Sequence, residues 1–121
     1  MSKQEEILKQ LQGLREAVPE LKAVLLATNE GLPVAHSFSN GADAQRVAAM
    51  AAAASGLGRR IAETLNAGLM SDISVTGAEG QVFVYTAGPK AVLAVMGPPG
   101  SNAGLIHLEA RETAGRIGAL L

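Results

Sequence analysis

Two short runs of this sequence are apolar at every position, and they limit the folds that are open to the chain. The runs are AVLLA at residues 23–27 and AVLAVM at residues 91–96. A strand that is apolar on both faces needs cover from both sides, as in the centre of a sheet between two layers of helices. The runs therefore predict two neighbouring central strands in a sheet covered on both faces.

Three further runs have the character of strands. The run that follows the turn Asn29-Glu30-Gly31 contains Pro33, which cannot donate a hydrogen bond to a neighbouring strand and so belongs at a sheet edge. Residues 72–76, DISVT, alternate between polar and apolar residues, and residues 82–86, VFVYT, are mostly apolar. Because the turns between consecutive runs are short, these patterns predict a five-stranded antiparallel sheet in the order 2-1-5-4-3.

Three segments have apolar residues at helical spacing. The first precedes Val18-Pro19, the second extends from Asp43 to about Ala67, and the third covers residues 103–121. The predicted fold class is α+β in the order α-β-β-α-β-β-β-α. The long central helix should cover one face of the sheet, and the N- and C-terminal helices the other. Residues 1–121 are expected to form one domain, since this is a common domain length.

Charge and composition exclude several classes of protein. The formal net charge is −1 and the basic residues are scattered, whereas nucleic-acid binding requires a clustered basic surface. The polar start MSKQEEILKQ does not resemble a secretory signal, and the uncharged run of residues 47–58 is too short to span a bilayer. The absence of cysteine fits a reducing compartment. We therefore expect a cytoplasmic protein with no nucleic-acid partner and no membrane insertion.

The central helix carries two different apolar stripes. One stripe has large side chains that can pack on the sheet: Val47, Met50, Ala54, Leu57, Ile61 and Leu65. The other stripe has only small side chains: Ala44, Ala48, Ala51, Ser55, Gly58 and Ala62. Small residues allow another backbone to approach closely, so we predict that this stripe packs against its copy in a homodimer. The alternative is that alanine is present only because it favours helix formation.

The third strand is the second part of the predicted dimer interface. Its sequence DISVT contains neither proline nor lysine, the residues that commonly block the addition of a strand at a sheet edge. Pairing with the same strand of a second copy would continue the sheet. The strand residues of the predicted interface are Asp72, Ile73, Ser74 and Val75.

No set of residues predicts catalysis, a cofactor or a metal site. His36 and His107 have no partner at metal-ligand or catalytic spacing and are interpreted as structural or surface residues. The segment GPPGSNAG at residues 97–104 lies between a strand and a helix, but it lacks the lysine of a phosphate-binding loop. We predict a turn in which Ser101 or Asn102 caps the last helix.

Arg59, Arg60 and Glu63 are candidate contacts with a partner protein. Adjacent arginines on a helix allow the hypothesis of an arginine finger for a GTPase. The alternative is a solvated pair on the polar side of the helix.

The sequence as a whole resembles the roadblock/LC7 family. The resemblance rests on AVLLATNEGLPVAHS, on the helix AAMAAAASGLGRRIAETLN and on the segment from DISVT to NAGLIHLEAR. It implies a profilin-like fold and dimers formed through the long helix and the third strand. It also implies a protein that is not an enzyme. The alanine- and glycine-rich composition is similar to that of bacterial members, regulators that resemble the gliding-motility protein B and act on a partner GTPase.

The function implied by the resemblance is that of a homodimeric regulator or scaffold of a small Ras-like GTPase. Any stimulation of GTP hydrolysis would come from positioning the switch region of the partner. Two alternatives stay open: an assembly module that docks a helical peptide, like a dynein light chain, and a ligand-sensing domain. A ligand-sensing domain requires a pocket with convergent polar groups, which the sequence does not reveal.

Overall fold

A five-stranded antiparallel sheet lies between one long helix and a pair of shorter helices. The computed structural model describes residues 2–39 and 41–121. The helices and strands follow in this order: α1 (Lys3–Ala17), β1 (Ala23–Thr28), β2 (Pro33–Phe38), α2 (Ala44–Thr64), β3 (Asp72–Gly77), β4 (Gly80–Ala87), β5 (Ala91–Gly97) and α3 (Ala103–Leu120). The strand order is β2-β1-β5-β4-β3. The predicted fold class, element order and strand order are confirmed.

The helices begin where the sequence offers capping side chains. The Ser2 hydroxyl accepts a hydrogen bond from the Glu5 amide, and the Asp43 carboxylate accepts from the amides of Gln45 and Arg46. Asn102 caps α3, while the neighbouring Ser101 hydroxyl donates to a backbone carbonyl. Each cap satisfies amides that have no partner within the helix.

The end of α2 differs slightly from the predicted one. The helix stops at Thr64 instead of continuing to Ala67. Asn66 has a φ of 54° and Gly68 a φ of 87°, so the backbone turns into the left-handed region before the glycine. Asparagine tolerates this conformation better than most residues, and it ends the helix earlier than the glycine alone would.

The two faces of the sheet have cores of different composition. The face under α1 and α3 is filled by large side chains, among them Phe83, Tyr85 and Leu93. The face under α2 combines branched strand residues such as Leu25 and Val92 with alanines of the helix. Because the strand side chains already fill most of the space, α2 can lie close to the sheet only with small residues between them.

The orientation of α2 is opposite to the predicted one. The stripe of small residues faces the sheet of its own chain: Ala48 and Ser55 are 0% exposed, and Ala51 and Gly58 are also buried. A Cβ atom at Gly58 would lie 2.5 Å from the Met70 sulfur, so the contact requires a residue without a side chain. The prediction that the large stripe packs on the sheet is wrong for Met50, Leu57, Ile61 and Leu65, which are exposed. Val47 of that stripe is half-buried and does contact the core under α2. The buried small residues therefore offer no surface to a second copy.

Two glycines of α3 allow a matched test of the packing between α3 and the β4–β5 turn. A Cβ at Gly118 would lie 2.7 Å from the Gly88 nitrogen, whereas a Cβ at Gly115 would meet no atom within 4 Å. We expect Gly118→Ala to lower the free energy of unfolding by about 1–3 kcal/mol, because backbone atoms cannot move aside easily. Gly115→Ala should raise it by about 0.5–1 kcal/mol. Urea unfolding measures both changes, and equal effects of the two variants would contradict this packing.

Candidate protein-interaction surface

The large apolar side chains of α2 lie on the surface of the chain. We call Met50, Leu57, Ile61 and Leu65 the outer stripe. All four are exposed, Leu57 by 57% and Leu65 by 73%. Single exposed apolar residues are common, but four on one side of one helix form a patch that typically marks an interaction site. This patch is a consequence of the orientation of α2. Because the small residues of the helix face the sheet, the large residues on its opposite side face the solvent.

An apolar groove lies beside the outer stripe, where α2 leaves part of the sheet uncovered. It has a volume of about 340 Å³, and every residue that lines it is alanine, valine, methionine or phenylalanine. One row of paired residues crosses the sheet under it: Val75, Val82, Met96, Ala23 and Phe38. Met50 of the outer stripe also lines the groove. We call this depression the sheet groove; together with the outer stripe it forms one continuous apolar surface.

The strand β3 forms the edge of the sheet next to the sheet groove. It pairs with β4 on one side only, so its other side has backbone groups without a neighbouring strand. Val75 is 56% exposed, and the side chain of Ile73 is half-buried under α2. The strand residues that were predicted for a dimer interface therefore lie at an accessible edge, beside the apolar surface. Their contact with a second copy stays a prediction.

A polar cluster attaches α3 to this edge of the sheet. The Arg111 guanidinium donates to the Asp72 carboxylate over 2.9 Å, and the Ser71 hydroxyl donates to the same carboxylate over 2.8 Å. Partial burial acts to raise the pKa of Asp72, but these hydrogen bonds outweigh it and hold the pKa below its usual value. The Arg111 side chain of this ion pair is half exposed, so the pair orients the start of β3 more than it stabilises the fold.

Tyr85 and His107 form the buried part of the same cluster. The Tyr85 hydroxyl lies 2.8 Å from Nδ1 of His107, and the tyrosine is 1% exposed. Burial of the Tyr85 hydroxyl is the main cause that raises its pKa, and the negative charge of the nearby Asp72 carboxylate raises it further. His107 is thus a structural residue, as interpreted from the sequence. Its partner was not predicted, because no spacing rule connects residues of β4 and α3.

The two adjacent arginines of α2 point into different surroundings. Arg60 is exposed and lies beside Leu57, Ile61 and Leu65 of the outer stripe. Arg59 is half-buried on the other flank of the helix, where Glu63 lies next to it. Neither arginine nor Glu63 forms an ion pair with any residue of the described part of the chain. The three candidate partner contacts are therefore not one site but two.

The start of α3 does not have the environment of a phosphate site. The Asn102 amide, at the helix start, donates to the Glu20 carboxylate over 3.2 Å. A carboxylate at this position repels an anion that the helix N-terminus would otherwise attract. The interpretation of residues 97–104 as a structural turn is consistent with these contacts.

Within residues 2–39 and 41–121, no three His, Cys, Asp or Glu side chains converge to hold a metal ion. None of the helices in this part of the chain combines the length and the apolar character needed to cross a bilayer. The candidate site of the described residues is thus the apolar surface of α2, the sheet groove and the edge of β3.

The fold and this surface define a small α+β domain with an exposed apolar face next to an open sheet edge. The family model described as the Roadblock/LC7 domain matches residues 7–96, from α1 to β5. The chain belongs to the Roadblock/LC7 family. Its α3 lies outside the matched residues.

Several known proteins are similar to this chain in sequence or in fold. Two uncharacterised proteins of Methanocaldococcus jannaschii are each 29% identical over 100 residues, which cover 83% of this chain and 87% of each relative. The structure of MglB from Myxococcus xanthus has a TM-score of 0.87 at 16% identity and covers 100% of this chain and 94% of its own. The gliding protein MglB from Thermus thermophilus has a TM-score of 0.83 at 17% identity, with coverages of 99% and 91%. A Roadblock/LC7 domain from Streptomyces avermitilis has a TM-score of 0.83 at 23% identity, with coverages of 91% and 92%. These similarities support the fold.

Proposed function

We propose that this protein is a non-enzymatic, homodimeric regulator or scaffold of a small Ras-like GTPase. Membership of the Roadblock/LC7 family and the likeness of the fold to MglB support a regulatory role. The observation that carries the proposal is the exposed apolar surface formed by the outer stripe and the sheet groove. A chain with such a surface gains stability by covering it with another protein.

The dimer that we propose buries the outer stripe instead of the small stripe. A fully buried leucine, isoleucine or methionine side chain contributes about 1.5–3 kcal/mol relative to an exposed one. Four such side chains in each copy can stabilise a dimer after the cost of association is subtracted. The sheet groove beside them can accept large side chains of the second copy.

The edge of β3 gives this dimer a second contact. A two-fold axis next to β3 would pair the strand with its own copy and would bring the two α2 helices side by side. Asp72, Ile73, Ser74 and Val75 would then lie at the interface, as the sequence predicts. The Arg111–Asp72 ion pair holds the start of β3 in place for this pairing.

The partner GTPase would bind to the dimer through polar residues of α2, for which Arg59, Arg60 and Glu63 are the candidates. The protein would act by positioning the switch region of the GTPase and would supply no catalytic group. Its stimulation of hydrolysis should then be smaller than the effect of a supplied arginine finger, which is about 10³-fold or more.

The test uses a Ras-like GTPase from the same genome in its GDP form and in a GTP-analogue form. We expect the GTP-analogue form to elute with the protein in size-exclusion chromatography and the protein to accelerate single-turnover GTP hydrolysis. Replacing both Arg59 and Arg60 with alanine should weaken binding but leave the hydrolysis rate at saturation unchanged. Arg46→Ala, at an exposed position of the same helix, is the matched control.

Three results would change this conclusion. Loss of the saturated hydrolysis rate in the double variant would indicate an arginine finger. Equal binding of the GDP form and the GTP-analogue form would favour an assembly module that docks a peptide. The absence of co-elution in both nucleotide states would contradict the GTPase proposal.

A further inference from the structure

A second concave site lies on the flank of α2 that faces away from the sheet groove. Its walls come from the end of α2, the α2–β3 connection and the turns β1–β2 and β4–β5, and its volume is about 560 Å³. This volume is within the range of pockets that bind small molecules. We call this site the loop cleft. It combines apolar walls at Met70 and Pro89 with a small number of polar groups.

Two opposite charges without partners line the loop cleft. Arg59 is half-buried, and Glu63 follows four residues later on the same helix. They form an ion pair neither with each other nor with any other described residue. Residues at this spacing have their Cβ atoms about 5–6 Å apart, so a ligand with two adjacent charges can reach both. An anionic group in the cleft would supply the counter-ion that Arg59 lacks among the described residues.

Asn29 forms part of the wall of the loop cleft, and hydrogen bonds to the backbone fix its orientation. Its side-chain amide donates to the Pro89 carbonyl over 2.8 Å, and its own backbone amide donates to the Lys90 carbonyl over 3.0 Å. The side-chain oxygen is buried and accepts no hydrogen bond from any described residue. Because this oxygen is closed off from solvent, Asn29 shapes the wall of the cleft and presents no acceptor to a ligand.

We propose that the loop cleft binds a free α-amino acid with an apolar side chain. The Arg59 guanidinium would hold the carboxylate of the ligand. The Glu63 carboxylate would accept hydrogen bonds from its ammonium group. The side chain of the ligand would lie against Met70 and Pro89. This would make the protein a ligand-sensing domain, and the proposal does not depend on the GTPase.

The pairing of charges excludes simpler ligands. A nucleotide or inorganic phosphate would be repelled by Glu63, which lines the cleft together with Arg59. A simple cation would be repelled by the positive charge of the Arg59 guanidinium. Only a ligand that carries both charges next to each other satisfies the two residues together, and an α-amino acid is the smallest common ligand of this kind.

The test is a calorimetric titration of the full chain with each of the twenty free L-amino acids, at concentrations up to about 10 mM. We expect binding of at least one apolar amino acid. Its N-acetyl derivative and its methyl ester each lack one charge, and each should bind at least about tenfold more weakly. No GTPase is present, so this result is separate from the outcome for the proposed function.

Variants of the two charged residues complete the test. Arg59→Met and Glu63→Gln should each weaken binding by at least about tenfold, whereas Arg46→Met should leave it unchanged. Both targets lie at the surface of α2, and the far-ultraviolet circular dichroism of each variant verifies its fold. Absence of binding by all twenty amino acids would overturn the proposal. So would equal binding of the N-acetyl derivative, or binding that Arg59→Met does not change.

Discussion

Leu57→Glu should convert the proposed dimer into a folded monomer. Leu57 lies in the middle of the outer stripe and is 57% exposed in the isolated chain, so a glutamate there is solvated when the chain is alone. In the dimer the two glutamates would be desolvated close to a two-fold axis, which costs several kcal/mol. Each 1.4 kcal/mol weakens the dissociation constant by about tenfold, and we therefore expect a loss of at least about 100-fold. Sedimentation equilibrium over a range of concentrations measures this change.

Gln45→Glu is the matched control for this variant. It adds the same charge to the same helix at an exposed position outside the outer stripe. The control should keep the mass of the dimer, and circular dichroism should report a folded chain for both variants. A wild-type protein that is monomeric at all concentrations would contradict the proposed interface, as would a Leu57→Glu variant that keeps the mass of the dimer.

Ala48→Leu should destabilise the chain itself. Ala48 is 0% exposed and lies in the core between α2 and the sheet, close to Leu25 and Val92. A leucine has no space there, so the helix must move away from the sheet or the side chain must adopt a strained rotamer. Overpacking of this kind costs about 1–3 kcal/mol of the free energy of unfolding. Chemical denaturation at equal protein concentration measures the loss.

The matched control is Ala53→Leu, which makes the same change at an exposed position of the same helix. Its effect on the free energy of unfolding should be small. The two variants also decide between the two orientations of α2. If Ala48→Leu dissociated the dimer but left the unfolding of the chain unchanged, the small stripe would have to face outward, as the sequence suggested.

The sheet could be predicted from the sequence because local patterns determine it. AVLLA and AVLAVM have no polar position, so both strands must be central, and Pro33 restricts its strand to an edge. Short turns leave few alternative connections between strands. The cap of α3 was predicted for the same reason, since a capping side chain acts within three residues of its own position.

The loop cleft could not be predicted from spacing. Asn29, Arg59 and Glu63 come from the first turn of the sheet and from the end of α2, and Thr86 and Pro89 come from a later hairpin. The distance along the chain between these residues carries no periodic signal. The same holds for Tyr85 and His107, which belong to different layers of the fold.

The sequence by itself determined which segments are strands or helices, the order of the strands, and the presence of two apolar stripes on α2. Only the tertiary structure decided which stripe is buried. Hydrophobicity favours burial of the large stripe, whereas the branched side chains of the sheet leave space only for the small one. Packing depends on the shapes of both surfaces, and the shape of the sheet surface cannot be derived from the sequence of the helix that packs on it.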